Sequence, residues 1–222
     1  MREVIVETTA GRIRGLRQQS VAVFRGIPYG ADTAGERRFR PPKSADPWTG
    51  ILDALIDGPA APQPPEAWAT APPERRMLWG RFDDHDDQSE ACLVLNIWTP
   101  DDAGAARPVL VWIHGGNFMY GSGSLNWYDG TSLALRGDAV VVTVNSRLGA
   151  LGHLYLGELG GEAWADSGNV GMLDLVLALE WVRDNIAVFG GDPGRVTIFG
   201  QSSGGMKVCT LLSMPAAKGL FH

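Results

Sequence analysis

Cysteine is scarce: Cys92 and Cys209 are the only two in 222 residues, far apart, and neither stands in a CxxC or other metal-ligand spacing. Two free, buried thiols in a reducing cytoplasm are the expectation. Basic residues form no stripe, and a net charge of −6 with a pI near 5.2 argues against nucleic acid and anionic membrane surfaces as partners. The densest group, Arg37, Arg38, Arg40 and Lys43, is broken by Pro41 and Pro42 and reads as a solvated loop. No uninterrupted apolar run approaches the roughly eighteen residues of a membrane span. The VIVET run begins within a few residues of Met1, so no signal peptide is expected.

The 45% hydrophobic content is that of a globular chain with a core. Residues 3 to 26 alternate apolar and polar positions, with breaks at Ala10-Gly11 and near Gln18 to Ser20, which predicts a small antiparallel meander. From Pro28 to about Asp87 the composition shifts to Pro, Gly, Ala and charge, and little regular structure is expected. Trp48, Trp68 and Trp79 in that stretch call for packing against something. The run Asp83 to Asp87 around His85 carries metal-ligand residue types, but adjacent side chains cannot converge on one ion, so it reads as a solvated acidic loop.

Four short apolar runs follow: Leu93 to Trp98, Val109 to Ile113, Ala139 to Val144 and Val196 to Phe199. A helical pattern over Asn169 to Phe189 separates the last two, with Leu173, Val176, Leu177, Glu180, Trp181 and Asp184 sorting into an apolar and a polar face. Gly190-Gly191 and Pro193 supply its stop. Strands apolar throughout and alternating with helices imply a mostly parallel sheet covered on both faces. The fold class is α/β.

The last run feeds through Gly200, Gln201, Ser202, Ser203 and Gly204 into a helix-like segment without a breaker before Pro215. This fits a nucleophile elbow, in which a serine sits on a strained strand-to-helix turn and small flanking residues avoid the neighbouring backbone. Ser202 is the candidate nucleophile. Between the second and third runs lies IHGGNFMYGSGS, Ile113 to Ser124, whose glycine pair leaves backbone N–H groups open to a ligand. Such a loop supplies one half of an oxyanion hole, and the N–H of Ser203 supplies the other.

FRGIPYG, RFRPP, DPWTG, SEACLVLNIWTP, PVLVWIHGGNF with GSGS, VVVTVNSRLGALG, the long block from Gly168 to Gly205 and PAAKGLFH follow one another from Phe24 to the last residue. In that order they resemble the blocks of the type-B carboxylesterases, the cholinesterase-like branch of the α/β-hydrolases. The resemblance implies an α/β-hydrolase fold, Ser202 as nucleophile, and oxyanion donors at Gly116, Asn117 and Ser203, with Gly115 shaping the loop. It implies a small-molecule ester substrate and no metal or organic cofactor. The loop from Pro62 to Asp87 would lie over the active-site entrance, with Trp68 or Trp79 lining it.

Several positions depart from the family pattern. Asn117 stands where a third glycine is common, which keeps a backbone donor but narrows the pocket. Gln201 replaces the usual glutamate before the nucleophile, removing a charge that would favour a cationic substrate. Ala91 replaces an aspartate and Ser146 a tyrosine. Secreted members pair the cysteine matching Cys92 around the proline-rich loop; Ala61 stands at the partner position, so no bridge is expected.

In this fold the triad runs in chain order serine, acid, histidine. After Ser202 there is no Asp or Glu, and the single histidine is His222, the final residue. His114 reads as holding the oxyanion loop and His153 as a satisfied core or wall residue. The chain is therefore expected to be the N-terminal portion of one hydrolase domain spanning 1 to 222, truncated after the nucleophile helix and inert alone, with an open apolar edge at Val196 to Phe199 that favours aggregation. Two alternatives stay open: a non-catalytic cholinesterase-like interaction module, and an amide or carbamate hydrolase with the same machinery. The sequence sets no oligomeric state.

Overall fold

The computed structural model describes residues 2–64, 87–101 and 106–222. Strands β1 (Arg2–Thr8), β2 (Gly11–Gln18) and β3 (Val21–Pro28) form the expected meander. Their pairing ends at Thr8 opposite Gly11 and Gln18 opposite Val21, so each turn spends only two residues. Short β4 (Ile51–Asp53) pairs with β2 in parallel. In the irregular stretch Trp48 packs against the core and donates its indole N–H to the Arg12 carbonyl at 2.9 Å.

The four apolar runs become β5 (Val94–Pro100), β6 (Arg107–Ile113), β7 (Val140–Val144) and β8 (Gly191–Gly200). The sheet order is β1-β2-β3-β5-β7-β6-β8. Among the described strands parallel pairing is confined to β7-β6-β8 and the β2–β4 contact; β5 runs antiparallel to both β3 and β7. The meander is thus continuous with the central sheet, and the sheet is more mixed than an apolar strand pattern implies. Burial on both faces makes a strand apolar whatever its direction, and β5 is buried over six of its seven residues.

Helices α1 (Thr131–Gly137), α2 (Gly149–His153), α3 (Gly157–Gly160), α4 (Val170–Asn185) and α5 (Ser203–Ser213) complete the layers. Strand β7 shows how the core divides. Val140, Val142 and Val144 join Leu175, Leu179 and Val182 of α4, whereas Val141 joins Trp98 and Ala134 on the other face. A left-handed Gly190 (φ 80°) ends the 3-10 turn that follows α4, at the predicted stop. Leu173 and Leu177, expected on the apolar face, share the half-buried stripe with Glu180, while Asp174 is fully buried.

Two polar fasteners hold α4. Asn185 accepts a hydrogen bond from Thr9 N at 2.7 Å, tying the first hairpin to the helix end. Asp174 takes Arg147, just past β7, through Nε (2.9 Å), one terminal nitrogen (2.6 Å) and the backbone N–H (2.9 Å). Arg147 also donates to the Arg40 carbonyl at 2.8 Å, and the Arg40 guanidinium lies over Trp164. With Arg38 paired to Glu90, the basic loop is exposed but tied down rather than free in solvent.

Cys92 is free and buried, as expected, in the same core as Ala61, and burial pushes its thiol up to about 12. Cys209 is free but exposed, contrary to expectation. The elbow sets the rotation of α5 so that Ser203, Gly204, Lys207 and Leu211 face inward, which leaves Met206, Cys209 and Leu212 outside. No described helix is long and apolar enough to cross a membrane.

Candidate active site

Ser202 occupies the junction of β8 and α5 with φ 56° and ψ −126°, a conformation that a residue bearing a Cβ adopts only under constraint. The constraint is the first turn of α5. Gly204 N donates to the Gln201 carbonyl at 2.9 Å and Met206 N to the Ser202 carbonyl at 3.1 Å. Close backbone approach makes the flanking glycines necessary. A Cβ at Gly200 would lie 2.6 Å from Gly204 C, and one at Gly204 would lie 2.1 Å from the Ile113 oxygen. The result leaves Ser202 exposed at the helix N-terminus with Ser203 buried behind it.

The glycine loop leaves β6 at Ile113 and turns back through three left-handed residues, Gly116 (φ 105°), Asn117 (55°) and Phe118 (60°). Its shape is held from within: Gly116 O accepts from Met119 N and Tyr120 N, each at 2.9 Å. Buried His114 places Nδ1 2.7 Å from the Gly115 carbonyl, which can only accept, so Nδ1 carries the proton. This is the loop-holding role expected of His114. Farther along, Gln63 and Gly121 exchange two hydrogen bonds of 2.9 and 3.1 Å.

Loop and elbow meet. A Cβ at Gly115 would stand 3.2 Å from Ser202 Cβ and 2.6 Å from Gln201 Oε1. Phe118 N donates to Ser203 Oγ at 3.3 Å. Gly115, Gly116, Asn117, Ser202 and Ser203 are therefore brought together on one end of the sheet. No described group accepts a hydrogen bond from the N–H of Gly116, Asn117 or Ser203.

Behind the loop lies a buried polar cluster that sequence reasoning missed. The Phe118 ring meets His153 edge-on at 5.3 Å, and Lys207 Nζ sits 5.6 Å from its centroid. His153 was expected to be a satisfied core or wall residue; it packs against Phe118, but its buried Nε2 has no hydrogen-bond partner among the described residues. Burial, then the charges of Lys207 and Arg147, lowers the imidazole to about 4. Burial likewise lowers the Lys207 ammonium to about 8, against the pull of Asp174. A lysine in a helix ordinarily reads as solvent-facing; its phase, four residues after Ser203, was the available signal.

No described side chain hydrogen-bonds to Ser202 Oγ. His114 is committed to the loop, His153 faces Phe118, and His222 lies on the margin of β8, its backbone N donating to the Val196 carbonyl at 2.8 Å. Trp68, Trp79, His85 and most of the loop between Pro62 and Asp87 lie outside the described residues. Among the described residues no group of three or more His, Cys, Asp or Glu is placed to hold a metal ion.

The carboxylesterase family matches this chain over residues 2–222. The chain is 44% identical over 222 residues to a para-nitrobenzyl esterase of Bacillus subtilis, covering 100% of this chain and 43% of that protein. Among solved structures, a Geobacillus stearothermophilus carboxylesterase shares 49% identity with a TM-score of 0.87, covering 98% of this chain and 42% of the other. A Clostridium hathewayi esterase described as hydrolysing aliphatic aromatic polyesters shares 43% identity with a TM-score of 0.85, covering 100% and 43%. The chain thus spans less than half the length of these relatives.

Proposed function

We propose, from the premise that the chain belongs to the carboxylesterase family, that Ser202 is the nucleophile of a carboxylic ester hydrolase. Ser202 Oγ attacks the ester carbonyl, and the N–H groups of Gly116, Asn117 and Ser203, on the loop shaped by Gly115, stabilise the oxyanion. The alcohol leaves, and water then releases the acyl group from the serine. The observation that carries this reading is the strained, exposed Ser202 at a helix N-terminus, packed against a loop in which the N–H groups of Gly116 and Asn117 have no acceptor among the described residues.

The attack needs a base and an acid to orient it. No described side chain hydrogen-bonds to Ser202 Oγ, and we assign both to groups outside this chain, so that the chain alone is expected to hydrolyse esters only slightly above background. In subtilisin, a serine hydrolase of unrelated fold, removing the histidine of the triad costs about 10⁶ in kcat. Free Cys92 and Cys209 support a reducing, cytoplasmic setting.

Intact-mass analysis after prolonged exposure to a fluorophosphonate tests the assignment. Slow formation of one adduct, abolished in Ser202→Ala, is expected. Labelling that persists in the variant, or none in the parent, sinks the nucleophile assignment. Rapid labelling confined to Ser202 keeps it but overturns the inertness of the chain.

A further inference from the structure

Lys207 is wholly buried, and its Nζ has no hydrogen-bond partner among the described residues. It faces Asp174 on α4, His153 on α2 and the ring of Phe118, and Arg147 beyond β7 joins the cluster through Asp174. Asp174 and Arg147 neutralise each other in a bidentate pair, and His153 is neutral near pH 7, so the ammonium is the net charge of the cluster. Phe118, against which it rests, belongs to the loop. Its N–H reaches Ser203 Oγ, its carbonyl accepts from Gly149 N at 2.7 Å, and its φ is held at 60°.

We propose that Lys207 is a positioning residue for the oxyanion loop: its buried ammonium, seated against the Phe118 ring, holds Phe118 and Asn117 against Ser203 and favours negative charge at the loop's N–H groups. A desolvated cation is attracted to an aromatic face far more than an exposed one, because water no longer competes for it. The same exclusion of water makes a fixed positive charge behind the loop effective where an oxyanion forms. The loop-holding half stands on geometry alone; the half concerning the oxyanion rests on the reading of Ser202 as nucleophile. Deprotonating Lys207 removes both, so the loop should respond to mildly alkaline pH.

Carbon-detected NMR of the backbone 15N shifts of Gly116, Asn117 and Phe118 across that range tests this in the chain as it stands. In the parent the three nitrogens are expected to move together, with one midpoint near 8. In Lys207→Met they stay flat, and in Phe118→Leu, which keeps the lysine but removes the ring, the response shrinks. Flat shifts in the parent, or an unchanged titration in either variant, overturn the proposal; should the methionine variant not fold, the leucine variant decides. The fluorophosphonate adduct is expected to form about tenfold more slowly in Lys207→Met at neutral pH. Equal rates would overturn the oxyanion half. If the parent forms no adduct, the Ser202 reading fails and takes that half with it, while the 15N shifts still decide the loop-holding half.

Discussion

A methyl group at the α-carbon of Gly204 would sit 2.1 Å from the carbonyl oxygen of Ile113. The start of α5 therefore rests backbone to backbone on the end of β6, and this contact brings the elbow against the loop that leaves β6. Gly204→Ala must push the two apart, at a cost of about 1–3 kcal/mol. Gly205, one residue on, has only the Gly200 carbonyl at 3.4 Å, an ordinary contact. Alanine there should be neutral or stabilise the helix by up to about 1 kcal/mol. Urea denaturation of the two variants compares them directly, and equal losses would contradict this account of the elbow.

The pair of Arg147 and Asp174 fastens β7 to α4 with side chains only 2% and 0% exposed. Removing one partner strands the other as a buried charge, which costs about 3–5 kcal/mol. Arg147→Met and Asp174→Leu should each destabilise to that extent, and the double variant should lose far less than their sum. An additive cycle would mean that the two residues act independently.

The elements around this site differ in how far they can be read in the sequence. The meander is legible because period-two alternation is interrupted by short turns, and α4 because its stop is written in Gly190 and Pro193. The elbow is legible because Gly200 and Gly204 have a steric reason that needs no distant partner beyond a strand end. The direction of β5 is not, since full burial erases the alternation that separates antiparallel from parallel strands. Nor is the pairing of Arg147 with Asp174, which joins positions 27 apart that carry no local sign of each other. Cys209 was misplaced, and the burial of Lys207 went unread, for one reason: the inward face of α5 is fixed by where Ser202 enters the helix, not by which residues are apolar.

That helical phase separates the two thiols. Cys209 is exposed, whereas Cys92 is wholly buried with its thiol raised to about 12. A maleimide added to the folded chain should modify Cys209 alone, as read by intact mass, and Cys209→Ser should abolish the reaction. Modification of both without denaturant would show that the core around Cys92 opens.

Strand β8 lies at the end of the strand order and pairs with β6; on its other margin Val196 meets the backbone of His222. Next to it lies a groove of about 520 Å³ lined by Trp112, Trp127, Tyr128, Leu133 and Phe199 among others. Beyond Val196 that margin pairs with no strand among the described residues, and an open strand margin beside aromatic surface favours self-association. Sedimentation velocity should show mass rising with concentration, and Thr197→Lys, which places a charge on an exposed position of β8, should reduce it. A monomer at every concentration would contradict this.

The cluster behind the loop makes stability depend on pH in two separate windows. In the unfolded chain His153 and Lys207 take up protons at their ordinary values, 6.5 and 10.5, whereas the folded chain holds them at about 4 and about 8. Between each pair of values the unfolded state binds more protons, so stability attributable to these groups rises with pH across 4 to 6.5 and again across 8 to 10.5. It falls as pH drops through the same windows. Burial raises Tyr29 and Cys92, which opposes the upper rise, so the difference between parent and variant isolates each contribution. The urea midpoint of His153→Gln relative to the parent should improve as pH falls below 6.5, and that of Lys207→Met as it falls below 10.5. A pH-independent difference for the lysine variant would mean that the amine titrates alike in the folded and unfolded chain; a difference that keeps growing as pH falls well below 8 would mean that the buried amine is already neutral at pH 7, and the charge assigned to the oxyanion loop would go with it.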